Sequence, residues 1–193
     1  SSDLFARNYM NTIYAKGIMK ERGGSVFGAY ENITRGEFAT MIVRILDLPL
    51  NYSDNELTFN DVPAMSLPNA LWDYRYIETA ARAGIVSGMG TRTFLPNAYL
   101  TREQAATIVA RALNLKVGDP DKDWSALSKS FVDAGNVDYY ARPYVLAVAK
   151  AKIMNGSPIE EGSKQMVFNP KANLSRAEAA VLAYNIMTEL KKF

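Results

Sequence analysis

Three arginines stand where helix electrostatics should exclude them, in Thr34-Arg35-Gly36-Glu37, Thr101-Arg102-Glu103-Gln104 and Ser175-Arg176-Ala177-Glu178. Each tetrad fits the S/T-x-x-E/Q capping box, in which a hydroxyl and a third-position side chain satisfy free N–H groups at a helix start. Capping does not explain the arginine, because a cation in the first turn faces the positive end of the helix dipole at a cost of roughly 0.3–1 kcal/mol. Two explanations stand side by side. The guanidinium pairs with an acid of an adjoining segment, for which Asp61 and Asp133 are available. Alternatively, helix N-termini and arginines converge on an anionic ligand, since free N–H groups and a planar guanidinium both suit a carboxylate or phosphate.

The three tetrads belong to an internal repeat. Ile18 to Thr34 and Ile85 to Thr101 each span 16 residues, while Ile153 to Ser175 spans 22, so the third copy carries six extra residues within 157–166, expected as a loop. Tyr9, Tyr76 and Tyr144 recur ahead of each isoleucine, and Phe5, Trp72 and Tyr140 recur thirteen residues before it. A phenylalanine lies before every tetrad, at Phe27, Phe94 and Phe168, followed by x-Pro in the second and third copies. Those two copies open with Phe-x-Asp, Phe59-Asn60-Asp61 and Phe131-Val132-Asp133, which the first copy lacks.

These motifs need elements to hold them. In the second copy Leu71, Tyr74, Ile77, Ala81 and Ile85 recur at helical spacing, predicting a helix over about 70–83 that stops at the glycines Gly84 and Gly88. Its counterparts run over about 4–15 and 141–151. A loop rich in Gly, Pro, Asn and Ser follows, and then a second helix opened by the tetrad, with Phe38, Met41, Ile42 and Ile45 on the apolar face in the first copy. Six amphipathic helices result. Segments 47–58 and 116–129 read as connections. A copy of roughly 60 residues is marginal alone, so the copies are expected to share one core in a single domain over 1–193, with repeats at 1–50 (incomplete at its start), 56–115 and 129–193.

Composition narrows the function. The 193 residues are 48% hydrophobic and carry a net charge of +2 with no basic stripe, which speaks against nucleic acid. Without cysteine or histidine there is no thiol nucleophile, no imidazole base and no usual zinc ligand set, so neither cofactor nor metal is expected. No apolar run approaches the roughly 20 residues that span a bilayer. The chain opens at Ser1, as an excised segment does, so the lack of a leader does not assign a location.

Taken together, the Phe-x-Asp opening, the helix carrying Trp72, Tyr76, Ile77, Ala80, Ala81, Ala83, Gly84, Ile85, Val86 and Gly88, the Phe-x-Pro loop and the Thr-Arg-x-Glu-like helix start resemble the S-layer homology domain over nearly the whole chain. The resemblance implies an all-α fold, a pseudo-threefold arrangement of three helix-loop-helix repeats around a central helical bundle, monomeric and extracellular on a bacterial cell wall. It further implies that grooves between repeats bind an anionic secondary cell-wall polysaccharide through a pyruvylated N-acetylmannosamine-type residue, with Arg35, Arg102 and Arg176 on the ketal carboxylate.

A site for such a sugar needs a cation, close-approach backbone and an aromatic wall. Gly84, Gly88 and Gly156 admit backbone to a ligand or cap helices; Trp72, Phe5 and Tyr140 are core residues or sugar platforms; Asp61 and Asp133 accept loop hydrogen bonds or line a groove. Glu21 in place of Gly88 and Lys152 in place of Gly84 set the first and third copies apart, so Arg102→Ala is expected to weaken binding more than Arg35→Ala. Glycoside hydrolysis needs two carboxylates in different environments, whereas these acids recur as equivalents, so the chain does not read as an enzyme. A helical repeat that binds another protein at the cell surface is the competing reading.

Overall fold

All three repeat helices end the same way. Gly17, Gly84 and Lys152 take left-handed conformations at φ 70, 71 and 58°. The following amide then closes back across the last turn, Ile18 N to Ile13 O at 3.1 Å, Ile85 N to Ala80 O at 2.9 Å and Ile153 N to Val148 O at 3.0 Å. This is the Schellman arrangement, which satisfies orphan carbonyls at a helix C-terminus. Gly84 is therefore a helix stop with open space about its Cα.

The computed structural model describes residues 2–23, 27–51, 55–65, 67 and 70–193, without the side chains of 2–6, so Phe5 lies outside the described side chains. The described helices are α1 (Ser2–Ala15), α2 (Arg35–Leu46), α3 (Tyr74–Arg82), α4 (Arg102–Ala112), α5 (Pro120–Ser130), α6 (Arg142–Lys150) and α7 (Arg176–Glu189). A short antiparallel pair, β1 (Ser157–Pro158) and β2 (Met166–Val167), completes an all-α chain.

Two compact units are present, residues 1–100 with 174–193, and residues 101–173. In the first, α1 packs on α7, and α2 lies against both α3 and α7. Its core includes Phe38, Ile42, Ile45, Ile77, Ala183 and Ile186 from the predicted apolar faces of the helices, together with Ile13 and the loop residue Phe94. In the second, α6 packs on both α4 and α5, around Ala106, Val109, Leu127, Val145 and Phe168.

Three elements depart from the sequence reading. Helix α3 begins at Tyr74, because the Asp73 side chain accepts from Arg75 N and caps it there; Leu71 and Trp72 precede the helix. Segment 116–129 is not a plain connection but contains α5. Asp119 caps it, accepting from the amides of Asp121 and Lys122, and Pro120 occupies the first turn, where its missing N–H costs nothing. The six-residue excess of the third copy folds as the β1–β2 hairpin, pairing Ser157 with Val167 and Pro158 with Met166.

Candidate functional site

The arginines obey one rule. The Nε of Arg35 donates to Phe94 O, that of Arg102 to Phe168 O and that of Arg176 to Phe27 O, each at 2.8 Å. The Nη2 atoms donate to Ser87 O at 3.3 Å, Asn155 O at 3.2 Å and Lys20 O at 2.5 Å, three equivalent loop positions. Each guanidinium also lies over the ring of the phenylalanine it bonds, at 4.7, 5.1 and 4.9 Å. The arginine of one copy thus ties down the loop of the next copy, and that of the third copy ties down the loop of the first.

The helix N-termini are committed in the same way. The amides of Arg35 and Gly36 donate to Ala98 O and Pro96 O, those of Arg102 and Glu103 to Ala172 O and Pro170 O, and those of Arg176 and Ala177 to Glu31 O and Ala29 O. The third amide goes to the cap hydroxyl of Thr34, Thr101 or Ser175. The reciprocal half of the box forms with Gln104 and Glu178, whereas Glu37 turns away to pair with the buried Arg176 and with Arg22. Burial pushes the Glu37 carboxyl above its ordinary value, against the pull of Arg176 and Arg22. Six carbonyls of neighbouring copies therefore occupy the N–H groups that a bound anion needs, and Arg35 and Arg176 are only 4% and 1% exposed.

Asp61 and Asp133 serve the same loops. Asp61 accepts from the amides of Phe94 and Leu95, and Asp133 from those of Phe168 and Asn169, at 2.8–2.9 Å. The residues thus fixed, Leu95 and Asn169, have positive φ of 59 and 56°, so the carboxylate holds a turn that a side chain resists. Gly88 and Gly156 make room inside the repeat: a Cβ on Gly88 would sit 2.7 Å from Thr93 O and 3.1 Å from the Phe59 ring, and one on Gly156 2.6 Å from the Phe131 ring. Phe59 and Phe131 can then pack on Phe94 and Phe168, at centroid distances of 5.1 and 5.3 Å.

Of the predicted set, Trp72 lines two of the clefts among the described residues. Its indole packs against Gly36, where a Cβ would come within 2.7 Å, and its Nε1 donates to Asn97 Oδ1 at 2.9 Å. Two clefts of about 220 Å³ each flank it and share Leu67, Ala70, Leu71 and Trp72. Arg22, Thr34, Glu37 and Asn97 line one; Lys20, Arg44, Asp73, Arg75 and Tyr76 line the other. Four cations thus face two carboxylates. Arg75 grips Asp73 bidentately at 2.8 and 2.7 Å, which lowers the Asp73 pKa, and Arg44 lies 4.9 Å over the Tyr76 ring. Lys20 is exposed and forms no ion pair with any described residue.

At the equivalent place in the second unit the chain fills its own groove. Glu103 replaces Gly36, Lys171 replaces Asn97 and Tyr140 replaces Trp72. The Glu103 carboxylate is 3% exposed, accepts from Asp138 N at 3.0 Å and meets Lys171 Nζ at 2.5 Å; Lys171 also reaches Asp138 Oδ1 at 2.6 Å. Burial raises the Glu103 pKa, with Lys171 and the Asp138 amide pulling it down.

Sequence reading missed Lys20, Arg22, Arg44, Arg75 and Asn97, because none falls at a position shared by all three copies; the inequality of Gly36, Glu103 and Ala177 within otherwise matching tetrads was the available signal. Among the described residues no cluster of metal-ligating side chains is present, and no helix is long and apolar enough to cross a membrane.

Comparison with known proteins agrees with the repeat arithmetic. The chain is 30% identical over 185 residues to an amylopullulanase of Thermoanaerobacterium thermosulfurigenes, covering 96% of this chain and 9% of that protein. It is 28% identical over 178 residues to the surface-layer 125 kDa protein of Lysinibacillus sphaericus, covering 92% and 14%, and 28% identical over 176 residues to the S-layer protein EA1 of Bacillus anthracis, covering 91% and 18%. The chain therefore spans less than a fifth of the length of these relatives. The S-layer homology domain matches at residues 1–39, 67–106 and 130–180, one segment per copy. With its loops clamped by arginine from copy to copy and three matched segments in tandem, the chain belongs to the S-layer homology domain family.

Proposed function

We propose that this cell-wall anchoring module holds an acidic secondary cell-wall polysaccharide in the clefts on either side of Trp72, through a sugar residue bearing a carboxylate such as a pyruvate ketal. The observation that carries the reading is the composition of those clefts. Lys20, Arg22, Arg44 and Arg75 outnumber Glu37 and Asp73 around an indole edge and the Tyr76 ring, which suits one permanent anion on a hydroxylated ring. Arg35, Arg102 and Arg176 act one step back, by shaping the loops that bound each groove. The groove of the second unit already holds the Glu103 carboxylate against Lys171, so we rank it below the Trp72 groove, which reverses the order expected from motif quality alone. Anchoring requires no catalysis, and the named enzymes among the relatives match over a small share of their length.

Cosedimentation with purified sacculi tests the reading. Retention on intact walls, its loss after the secondary polymer is stripped, and weaker binding of depyruvylated polymer in calorimetry are the expected results. Retention that survives stripping and disappears on protease treatment of the walls points to a protein receptor and overturns the proposal.

A further inference from the structure

Helix α5 and the start of α6 carry an aromatic and arginine cluster unrelated to the groove residues. Arg142 places its guanidinium 4.5 Å from the Trp124 ring centroid and 5.3 Å from that of Tyr139. Both rings stay in contact with solvent, Trp124 at 38% and Tyr139 at 55% exposure. The buried Nε of Arg142 has no hydrogen-bond partner, and the side chain pairs with no acid among the described residues. An arginine kept for stability alone is normally bonded as well as stacked, as Arg35 and Arg176 are. Here ring faces hold the cation, and no described residue bonds its Nε.

The surroundings say what would suit these exposed rings. Tyr139 Oη donates to Asp121 Oδ2 at 3.0 Å, orienting the ring and leaving a carboxylate beside it. Acids (Asp119, Asp121, Asp123) and bases (Lys116, Lys122, Lys129, Arg142, Lys150) are interspersed on this pair of helices and their lead-in, so the patch presents both signs of charge. Exposed ring faces flanked by both donors and acceptors match a neutral pyranose, whose C–H face stacks on an aromatic and whose hydroxyls serve as donor and acceptor at once. Three side chains are far below the roughly 1,000 Å² that a stable protein interface needs, and a single sugar ring is of the right size for them. Trp124 lies between the matched segments 67–106 and 130–180, outside the family pattern.

We propose that Trp124, Tyr139 and Arg142 form a second saccharide subsite, which takes a neutral pyranose of a wall glycan. The chain has two tryptophans, one in each candidate site, so their indole Nε1–H signals in 15N NMR report the two sites separately. Titration with methyl glycosides of glucose, mannose, galactose, N-acetylglucosamine and N-acetylmannosamine should shift the Trp124 signal saturably with at least one sugar, at millimolar affinity, while the Trp72 signal stays still. Arg142→Ala and, independently, Tyr139→Ala should weaken this response by roughly tenfold, about 1.4 kcal/mol, with the methyl signals of buried Leu127 unmoved as the check on folding. A Trp124 signal indifferent to the whole panel overturns the proposal, even if Trp72 responds to acidic polymer. So does a shift seen only with carboxylated sugars, or one that follows protein concentration without sugar, the sign of self-association.

Discussion

Replacing Arg35 by methionine separates the two roles an arginine can have here. Methionine keeps the apolar stem and removes the guanidinium. What is lost is the 2.8 Å bond to Phe94 O, the 3.3 Å bond to Ser87 O and the stack at 4.7 Å on the Phe94 ring. Bonds from a charged donor contribute about 1.5–3 kcal/mol each, the weaker for the longer one, and a buried stack about 1 kcal/mol more. The Phe94 carbonyl is left in a site with no access to water, since Arg35 is 4% exposed. The sum is roughly 4–6 kcal/mol, a fall of about 10–20 °C in melting temperature for a chain of this length. Differential scanning calorimetry reads that fall, and titration with acidic wall polymer, well below the variant's melting point, should show affinity within about twofold of the parent. Lys20→Ala is the reciprocal case, because its ammonium is exposed and forms no ion pair with any described residue: melting unchanged within about 2 °C, affinity lower by roughly tenfold. An Arg35→Met protein that melts like the parent yet loses the polymer refutes the assignment of this arginine to the fold.

Three further outcomes follow from the same geometry. Lys152→Gly should stabilise by about 1 kcal/mol in urea unfolding, because Lys152 occupies the left-handed helix stop at φ 58° that Gly17 and Gly84 take without a Cβ. Gly36→Ala should drive a Cβ to 2.7 Å from the Trp72 ring, cost about 1–3 kcal/mol and weaken polymer binding by displacing the indole. Asp73→Asn retains the α3 cap and loses the ion pair. The Asp73 pKa is lowered, chiefly by its hydrogen bond from Arg75, so its contribution is present above the ordinary value of 3.8 and vanishes as pH falls through the lowered one; the parent's advantage over the variant should be constant near neutrality and close only in strong acid.

Local physics made much of the architecture legible. Apolar residues at helical spacing marked the faces now buried at Phe38, Ile42, Ile77 and Val109, and the tetrads marked the N-caps at Thr34, Thr101 and Ser175, since a cap needs only residues within one turn. Helix α5 had its own signal, Asp119 before Pro120, which the polar composition of its segment obscured. The paradox of the first-turn arginines was visible too, and an acid of another copy does meet one of them, Glu37 with Arg176, although Asp61 and Asp133 bond loop amides instead. They bond to loop carbonyls 59, 66 and 149 residues away in the chain, and a backbone carbonyl carries no residue-type signature to search for.

The proposed site was decided by packing. Lys20, Arg22, Arg44 and Arg75 come from separate segments of two copies, and each reads in isolation as a surface cation. The two grooves differ at one side chain facing the aromatic residue: glycine at 36 lets the Trp72 indole pack directly on the helix, whereas glutamate at 103 holds Lys171. Periodicity and capping are properties of neighbours in the chain, and so a string of residues sets them by itself. Whether a cation faces a cavity or a carbonyl depends on contacts across dozens of residues, and only the folded chain establishes those.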